Sequence, residues 1–351
     1  MSRFFQKDLT PYVPGEQPKD MAYVKLNTNE SPFPPSEKAL AYAAAHTRSL
    51  NLYSDPDSRD LTALLADTLG VAPENLLLTN GSDEILNFAF MAFCGKDHPA
   101  AFPDITYGFY PVFAELNGVP YSEIPLREDF AVGAEDYLNL NQTVFIANPN
   151  APTGLALPVS EIERIVASNP DGVVVVDEAY VDFGGESCVP LIRKYGNLLV
   201  TQTFSKSRSM AGARLGFGVA CPELIRDLNT IKYSTNPYNV NSLTAAVGLG
   251  TLLDADYTRA NCRTIMENRA YTTAELQKQG FEVLDSRANF VFAKTPALDG
   301  AALYRALKEK GVLVRHFTLP RIAQYNRITI GTRAQMDVLL GKIDEILEEG
   351  K

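Results

Sequence analysis

A chain of 351 residues, 46% hydrophobic and 21% charged, has the make-up of a water-soluble globular protein, long enough for one large core and a smaller companion. Its 42 acidic against 32 basic side chains leave a net charge of −10, which argues against nucleic acid as a main partner and leaves any anionic ligand to local arginines. The three histidines are dispersed and the four cysteines (Cys94, Cys188, Cys221, Cys262) show no C-x-x-C spacing, so neither a metal cluster nor a disulfide framework is indicated.

Residues 1–35 are rich in Pro, Asn, Glu and Gly without helical periodicity and read as an extended arm, either disordered or pinned by Tyr12, Tyr23, Val24 and Leu26 to another surface. Met1–Asp8 lacks an apolar targeting segment, and no uncharged apolar run reaches membrane-spanning length. A cytoplasmic protein with reduced thiols is therefore expected. Ser36–Ser49 reads as a helix, Asn51–Ser58 as a turn-rich link carrying Tyr53, Leu61–Leu69 as a helix, and Leu76–Leu78 as a strand. Gly81-Ser82-Asp83 then opens a helix to Phe93. A strand feeding a glycine and a helix start suits a phosphate, because free N–H groups and the positive end of the helix dipole converge there, although the same residues also make a plain N-cap.

Asp104–Asn117 holds Tyr107, Phe109 and Tyr110, an aromatic cluster that is chiefly core material. Val144–Ala147 and Val173–Val176 are β-branched strands joined by a helix over Ser160–Ser168, the βαβ pattern of a parallel sheet. Leu198–Val200 and Phe217–Ala220 supply two more strands. Ligands of such sheets bind outside the carboxyl ends of the strands, where Asn148-Pro149-Asn150-Ala151-Pro152-Thr153-Gly154, Asp177-Glu178-Ala179-Tyr180 and Ser205-Lys206-Ser207 all fall. Two helical stretches run from Asn239 to about Gly280. Glu282–Leu284, Phe290–Lys294, Val312–Arg315 and Arg327–Ile330 read as strands, with helices over Asp299–Lys310 and Ala334–Glu348.

The loop with its P-N-x-P-T-G core, the D-E-A-Y strand end and the S-K-x(7)-R segment, in this order, resemble the fold-type I pyridoxal-phosphate (PLP) aminotransferases. Pro11-Tyr12-Val13-Pro14-Gly15-Glu16, Leu26-Asn27-Thr28-Asn29-Glu30-Ser31-Pro32, Tyr53-Ser54-Asp55-Pro56-Asp57 and Arg327-Ile328-Thr329-Ile330-Gly331 are similar to the histidinol-phosphate aminotransferase branch. The resemblance spans nearly the whole chain. It implies an α/β fold with a large, mostly parallel sheet sandwiched by helices over 36–255, and a smaller α+β domain made by the arm (1–35) and residues 256–351.

The resemblance also implies roles. Lys206 would carry PLP and act as the base that moves the substrate proton, Asp177 would hold the ring nitrogen, and Tyr180 the phenolic oxygen. Gly81, Ser82, Asp83, Ser205, Ser207 and Arg214 would form the phosphate end, with Tyr107 over the ring. An asparagine commonly stands directly before the second loop proline, but here that residue is Ala151, which leaves Asn150 or Asn148 as candidates for its contact; Ala151-Pro152 is a candidate cis bond. Tyr53 is either an ordinary turn residue or a ligand to the cofactor phosphate of the neighbouring subunit, which would make a homodimer obligatory. Tyr12, Asn29, Arg315 and Arg327 would receive the substrate, Arg327 its carboxylate or phosphate; Arg315 reads equally as a surface residue.

The expected reaction is transfer of an amino group between histidinol phosphate and 2-oxoglutarate, with no metal, nucleic-acid or membrane partner. An aromatic aminotransferase and a PLP lyase of threonine-phosphate decarboxylase type share the same cofactor residues and are the alternatives.

Overall fold

The computed structural model describes Phe4 and residues 9–349; the other residues of Met1–Asp8, read above for a targeting segment, and residues 350–351 lie outside the described residues. From residue 9 onward the arm follows the second of its two readings, since its backbone is pinned along a set of short strands near the end of the chain. Its strand β1 (Val24–Lys25) is followed by helices α1 (Glu37–His46) and α2 (Arg59–Leu69). Ser36 caps α1 by accepting the Ala39 N–H, and Gly70 ends α2 in the left-handed region.

The large sheet follows: β2 (Leu76–Thr79), α3 (Ser82–Phe93), β3 (Ala100–Pro103), α4 (Phe109–Asn117), β4 (Tyr121–Ile124), β5 (Thr143–Ala147), α5 (Val159–Ser168), β6 (Val174–Asp177), β7 (Leu198–Thr203) and β8 (Gly216–Ala220). Its seven strands lie in the order β2-β8-β7-β6-β5-β3-β4, and only β8 runs antiparallel to its neighbours. The central strands are buried throughout and chiefly apolar because both sheet faces are covered. In β5 to β7, Val144, Ile146, Val174, Val176, Leu198 and Val200 enter one apolar cluster, while Phe145, Val175 and Leu199 enter the cluster on the opposite face.

After α6 (Pro222–Thr235) and α7 (Ser242–Leu252), the 24-residue α8 (Ala255–Lys278) leads to the smaller sheet. There β9 (Glu282–Val283), β10 (Phe290–Lys294), α9 (Gly300–Glu309), β11 (Val312–Leu313), β12 (Arg315–His316), β13 (Asn326–Thr329) and α10 (Arg333–Glu349) complete the chain. The four-stranded antiparallel order is β12-β13-β10-β9, and β11 pairs in parallel with β1.

The single strand expected over Val312–Arg315 is two strands in two sheets. The reason is the arm: Val24 N donates to Gly311 O and Leu26 N to Leu313 O, so the chain turns at Val314 to present Arg315 and His316 to β13. A third apolar cluster unites β10, β13, α9 and α10 with Leu26 of the arm and with Ala151 and Tyr180 from loops of the large sheet. The two sheets therefore meet where the sequence motifs lie.

Candidate active site

Loops at one edge of the large sheet converge on a chamber lined by Ser82, Asp83, Tyr107, Ala147, Pro149, Ala151, Asp177, Ala179, Tyr180, Thr203, Ser205, Lys206 and Arg214. The carboxyl ends of β2, β3, β5, β6 and β7 all face it. Arg214 reaches it from the other end of a strand: β8 is antiparallel, so its first residue, Gly216, pairs with both Thr79 and Thr203, the last residues of β2 and β7. A Cβ on Gly216 would lie 2.3 Å from Ser82 N, so only glycine lets this strand approach the start of α3.

At one end of the chamber, α3 follows Gly81, whose φ of +77° suits glycine. Arg214 Nη2 lies 2.8 Å from Asp83 Oδ2, and Tyr107 Oη donates to Asp83 Oδ1 at 2.6 Å. Asp83 thereby holds the arginine and the aromatic ring that faces the chamber. Among the described residues, the enclosed Ser205 Oγ has no hydrogen-bond partner, which is costly unless a ligand completes it.

At the opposite end, Asp177 is buried at the end of β6. Its Oδ1 accepts from Ala179 N at 3.2 Å and its Oδ2 from Tyr110 Oη at 3.3 Å. Burial pushes its carboxyl up to about 7 against the pull of the Ala179 N–H. Tyr110, expected from the sequence only as core, is a site residue; it stands three residues after Tyr107, and only the fold shows its hydroxyl reaching the acid. Glu178, the next residue of the strand end, is turned away and satisfied by Ser187, Cys188 N and Gln202.

Lys206 stands between this chamber and a wider outer one, and lines both with Asp83, Tyr107, Ala151 and Tyr180. Its Nζ donates to Thr28 O of the arm at 3.2 Å and sits 5.8 Å from the centre of the Tyr180 ring. The outer chamber brings in Tyr12, Asn29, Arg315 and Arg327. Tyr12 stacks on Phe109 at 4.2 Å. Arg315, at the start of β12, donates to Val13 O and Pro14 O and so fastens the arm.

Arg327 is part-buried between the Phe290 and Phe317 rings, with its guanidinium carbon 5.3 and 5.7 Å from their centres. Among the described residues its one hydrogen bond runs from Nη2 to Asn27 O at 3.1 Å, and its enclosed Nε has no partner. Burial lowers its proton affinity, as expected of a cation without an acid beside it.

Three expected cofactor residues, Asn150, Ser207 and Tyr53, do not line the chamber of their own chain, and neither does Asn148. Asn150 donates to Ile105 O and Thr153 Oγ1 and accepts from Thr106, while Asn148 exchanges hydrogen bonds with the backbone of Leu157. Both amides are committed to holding the loop, whose Asn148-Pro149 and Ala151-Pro152 bonds are cis, and neither lines a chamber. Ser207 Oγ donates to Asp182, which also pairs with Arg208 at 3.3 Å. That hydroxyl braces the lysine loop from behind. Tyr53 is 85% exposed, stacks on Tyr238 at 4.6 Å, and lines neither chamber of its own chain.

PLP presents a phosphate, a basic ring nitrogen, a phenolic oxygen and an aldehyde. The inner chamber offers a helix start with an arginine and an orphaned serine hydroxyl, a buried acid at the far end, a phenol, and an amine between them, so the residues present fit that group.

The family model described as aminotransferase class I and II matches residues 22–343. The chain is 48% identical over 350 residues to the histidinol-phosphate aminotransferase of Pseudomonas syringae pv. syringae (strain B728a), an alignment covering 99% of this chain and 100% of that one. It is 47% identical over 354 residues to histidinol-phosphate aminotransferase 2 of Dechloromonas aromatica (strain RCB), covering 99% of each. Among solved structures, the histidinol-phosphate aminotransferase of Sinorhizobium meliloti in complex with pyridoxal-5'-phosphate superposes with a TM-score of 0.85 at 24% identity, over 93% of this chain and 91% of that one, a likeness of fold. The chain belongs to the PLP-dependent aminotransferase class I and II family, in its histidinol-phosphate aminotransferase branch.

Proposed function

We propose that the protein moves an amino group between histidinol phosphate and 2-oxoglutarate, giving imidazole acetol phosphate and glutamate, as a step of histidine biosynthesis in the cytoplasm. The observation that carries this reading is Arg327: a part-buried guanidinium with an enclosed, unpartnered Nε, facing the chamber that Lys206 lines. A cation left uncompensated in this way calls for an anionic ligand, and its fork suits a carboxylate and a phosphate alike. Tyr12 and Arg315 flank it and would complete a phosphate pocket.

PLP, when bound, supplies the electron sink that makes a Cα proton removable. Gly81, Ser82, Ser205 and the Asp83-held Arg214 would bind its phosphate. Asp177 would keep the ring nitrogen protonated, since a cation set against the buried carboxylate relieves the penalty that raises its proton affinity. Tyr180 would donate to the phenolic oxygen. Lys206 would anchor the cofactor and, once displaced by the substrate amine, move a proton between substrate Cα and cofactor C4′. Residues 36–255 are read as the cofactor-holding domain, and the arm with residues 256–351 as the one that brings Thr28 and Arg327 to it. The exposed Tyr53–Tyr238 stack supports a homodimer in which Tyr53 reaches the partner's phosphate site.

The test is a single-turnover absorbance experiment on the PLP-loaded protein with histidinol phosphate, glutamate, phenylalanine and threonine phosphate added separately. Conversion of the cofactor band by histidinol phosphate and glutamate, reversed by 2-oxoglutarate, is expected. Conversion by phenylalanine but not histidinol phosphate would assign the aromatic substrate class instead, and release of carbon dioxide from threonine phosphate would assign the lyase.

A further inference from the structure

Ala151 lines the cofactor chamber with an apolar side chain, and the two asparagines of its loop are committed to the scaffold. Another asparagine meets Tyr180 instead, from the arm. Asn29 Nδ2 donates to Tyr180 Oη at 2.9 Å. Asn29 is buried, adopts φ +56°, and is gripped on three sides: its backbone N–H donates to Thr329 Oγ1 at 2.9 Å, its Oδ1 accepts from Thr329 Oγ1 at 3.0 Å, and its carbonyl accepts from Asn289 Nδ2 at 3.0 Å. Thr329 lies two residues beyond Arg327 on β13. Strand alternation therefore turns both toward the arm, Arg327 to Asn27 O and Thr329 to Asn29.

The hydrogen bonds run in one direction. Thr329 Oγ1 accepts from the Asn29 backbone N–H and donates to Asn29 Oδ1, and the Asn29 amide turns its Nδ2 to Tyr180. The phenol oxygen thus accepts from Asn29, and its single proton stays available for a partner inside the chamber.

We propose that Thr329 and Asn29 form a directional hydrogen-bond relay that holds the Tyr180 phenol as a donor toward the cofactor's phenolic oxygen. The proposal rests on the reading that PLP occupies the inner chamber with that oxygen facing Tyr180. Asn29 and Thr329 are positioning residues in it, and the relay is complete only when the arm is seated on β13.

The readout is the pH titration of the visible absorbance of the lysine-bound cofactor, which reports how strongly the ring system holds a proton. A donor at the phenolic oxygen favours its ionised form, so loss of that donor moves the titration to higher pH. Tyr180→Phe is expected to raise the midpoint by about one pH unit, roughly a tenfold change in proton affinity. Thr329→Val frees the Asn29 amide to turn and offer its carbonyl oxygen. Asn29→Asp, nearly the same size and tolerant of the same backbone, offers only acceptors. Both draw the Tyr180 proton away and are expected to raise the midpoint in the same direction, while Thr329→Ser keeps the wild-type value.

In a Tyr180→Phe background the Thr329→Val and Asn29→Asp shifts should vanish, because the relay has nothing left to orient. Wild-type titrations for Thr329→Val and Asn29→Asp, or equal shifts with and without the Tyr180 hydroxyl, would overturn the relay while leaving the function intact. Should Thr329→Val fail to fold, Asn29→Asp carries the same comparison. A wild-type protein with no visible band after addition of PLP would overturn the proposed function itself, and the relay with it.

Discussion

Arg214 Nη2 lies 2.8 Å from Asp83 Oδ2 and fills the space that a Cβ on Gly81 would occupy, 2.7 Å away from that Cβ position. Glycine at 81 therefore serves both the left-handed turn into α3 and the seat of the arginine.

Gly81→Ala should weaken cofactor binding without unfolding the protein. The added methyl displaces the Arg214 fork and strains φ +77°. Absorbance titration of the cofactor-free variant with PLP should give a Kd raised by about tenfold or more, the loss of one charge-assisted contact. An unchanged Kd would mean that Arg214 does not hold the phosphate.

Arg327→Lys keeps the charge but loses the planar fork. The kcat/KM for histidinol phosphate should fall by roughly 10²-fold, mainly through KM, because a compact ammonium cannot pair two oxygens from the same position. The absorbance of the bound cofactor should stay that of the wild type. A variant with normal KM would place the substrate anion elsewhere, with Arg315 the next residue to test.

Asp177 leads to a pH prediction for the cofactor-free protein. Its proton affinity is raised by folding, from the ordinary 3.8 to about 7, so between these values the folded chain holds a proton that the unfolded chain has lost. Stability must therefore decrease as pH rises through that window. Asp177→Asn removes this loss and should make the cofactor-free protein more stable at pH 8, by on the order of 4 kcal/mol, with the difference closing toward pH 4. Urea unfolding at several pH values measures it. Glu178, raised to about 7 by burial in the same way, should leave a residual slope in the variant. The same substitution should sharply weaken PLP binding, separating stability from function.

Subunit sharing by Tyr53 can be tested by mixing. Lys206→Ala and Tyr53→Ala should each be nearly inactive as pure dimers. After exchange of subunits, a mixed dimer carries one site with both defects and one intact site, so activity should reappear. Activity no higher than the sum of the two parents would return Tyr53 to the role of an ordinary exposed turn residue.

Strands β5, β6 and β7 of the large sheet were legible because each contains an apolar run, Val144–Ala147, Val174–Val176 and Leu198–Val200, as burial on both faces demands, whereas β3, Ala100–Pro103, is too short and alanine-rich to stand out. Edge strand β4, Tyr121–Ile124, has three exposed residues of four and carries no such signal. The split of Val312–Arg315 into two strands was not legible either. Nothing in those four residues records that the arm, almost three hundred positions earlier, takes the backbone of the first two.

Residue types determined by themselves the parts that chemistry makes specific: a lysine after a buried strand, an acid closing another, a glycine before a helix, and arginines in an acidic chain. Those choices follow from local periodicity and from what the reaction needs, and both are written in short stretches. Only tertiary structure decided where equivalent-looking side chains point. Asn150 and Ser207 carry the right groups beside the right neighbours, but stronger local partners, Thr106 and Asp182, turn them into scaffold. Tyr110 and Thr329 look like core and strand residues, but α4 carries Tyr110 to Asp177, and Thr329 of β13 holds the Asn29 that meets Tyr180. Hydrogen-bond partners distant in sequence are fixed by packing, which no short stretch contains.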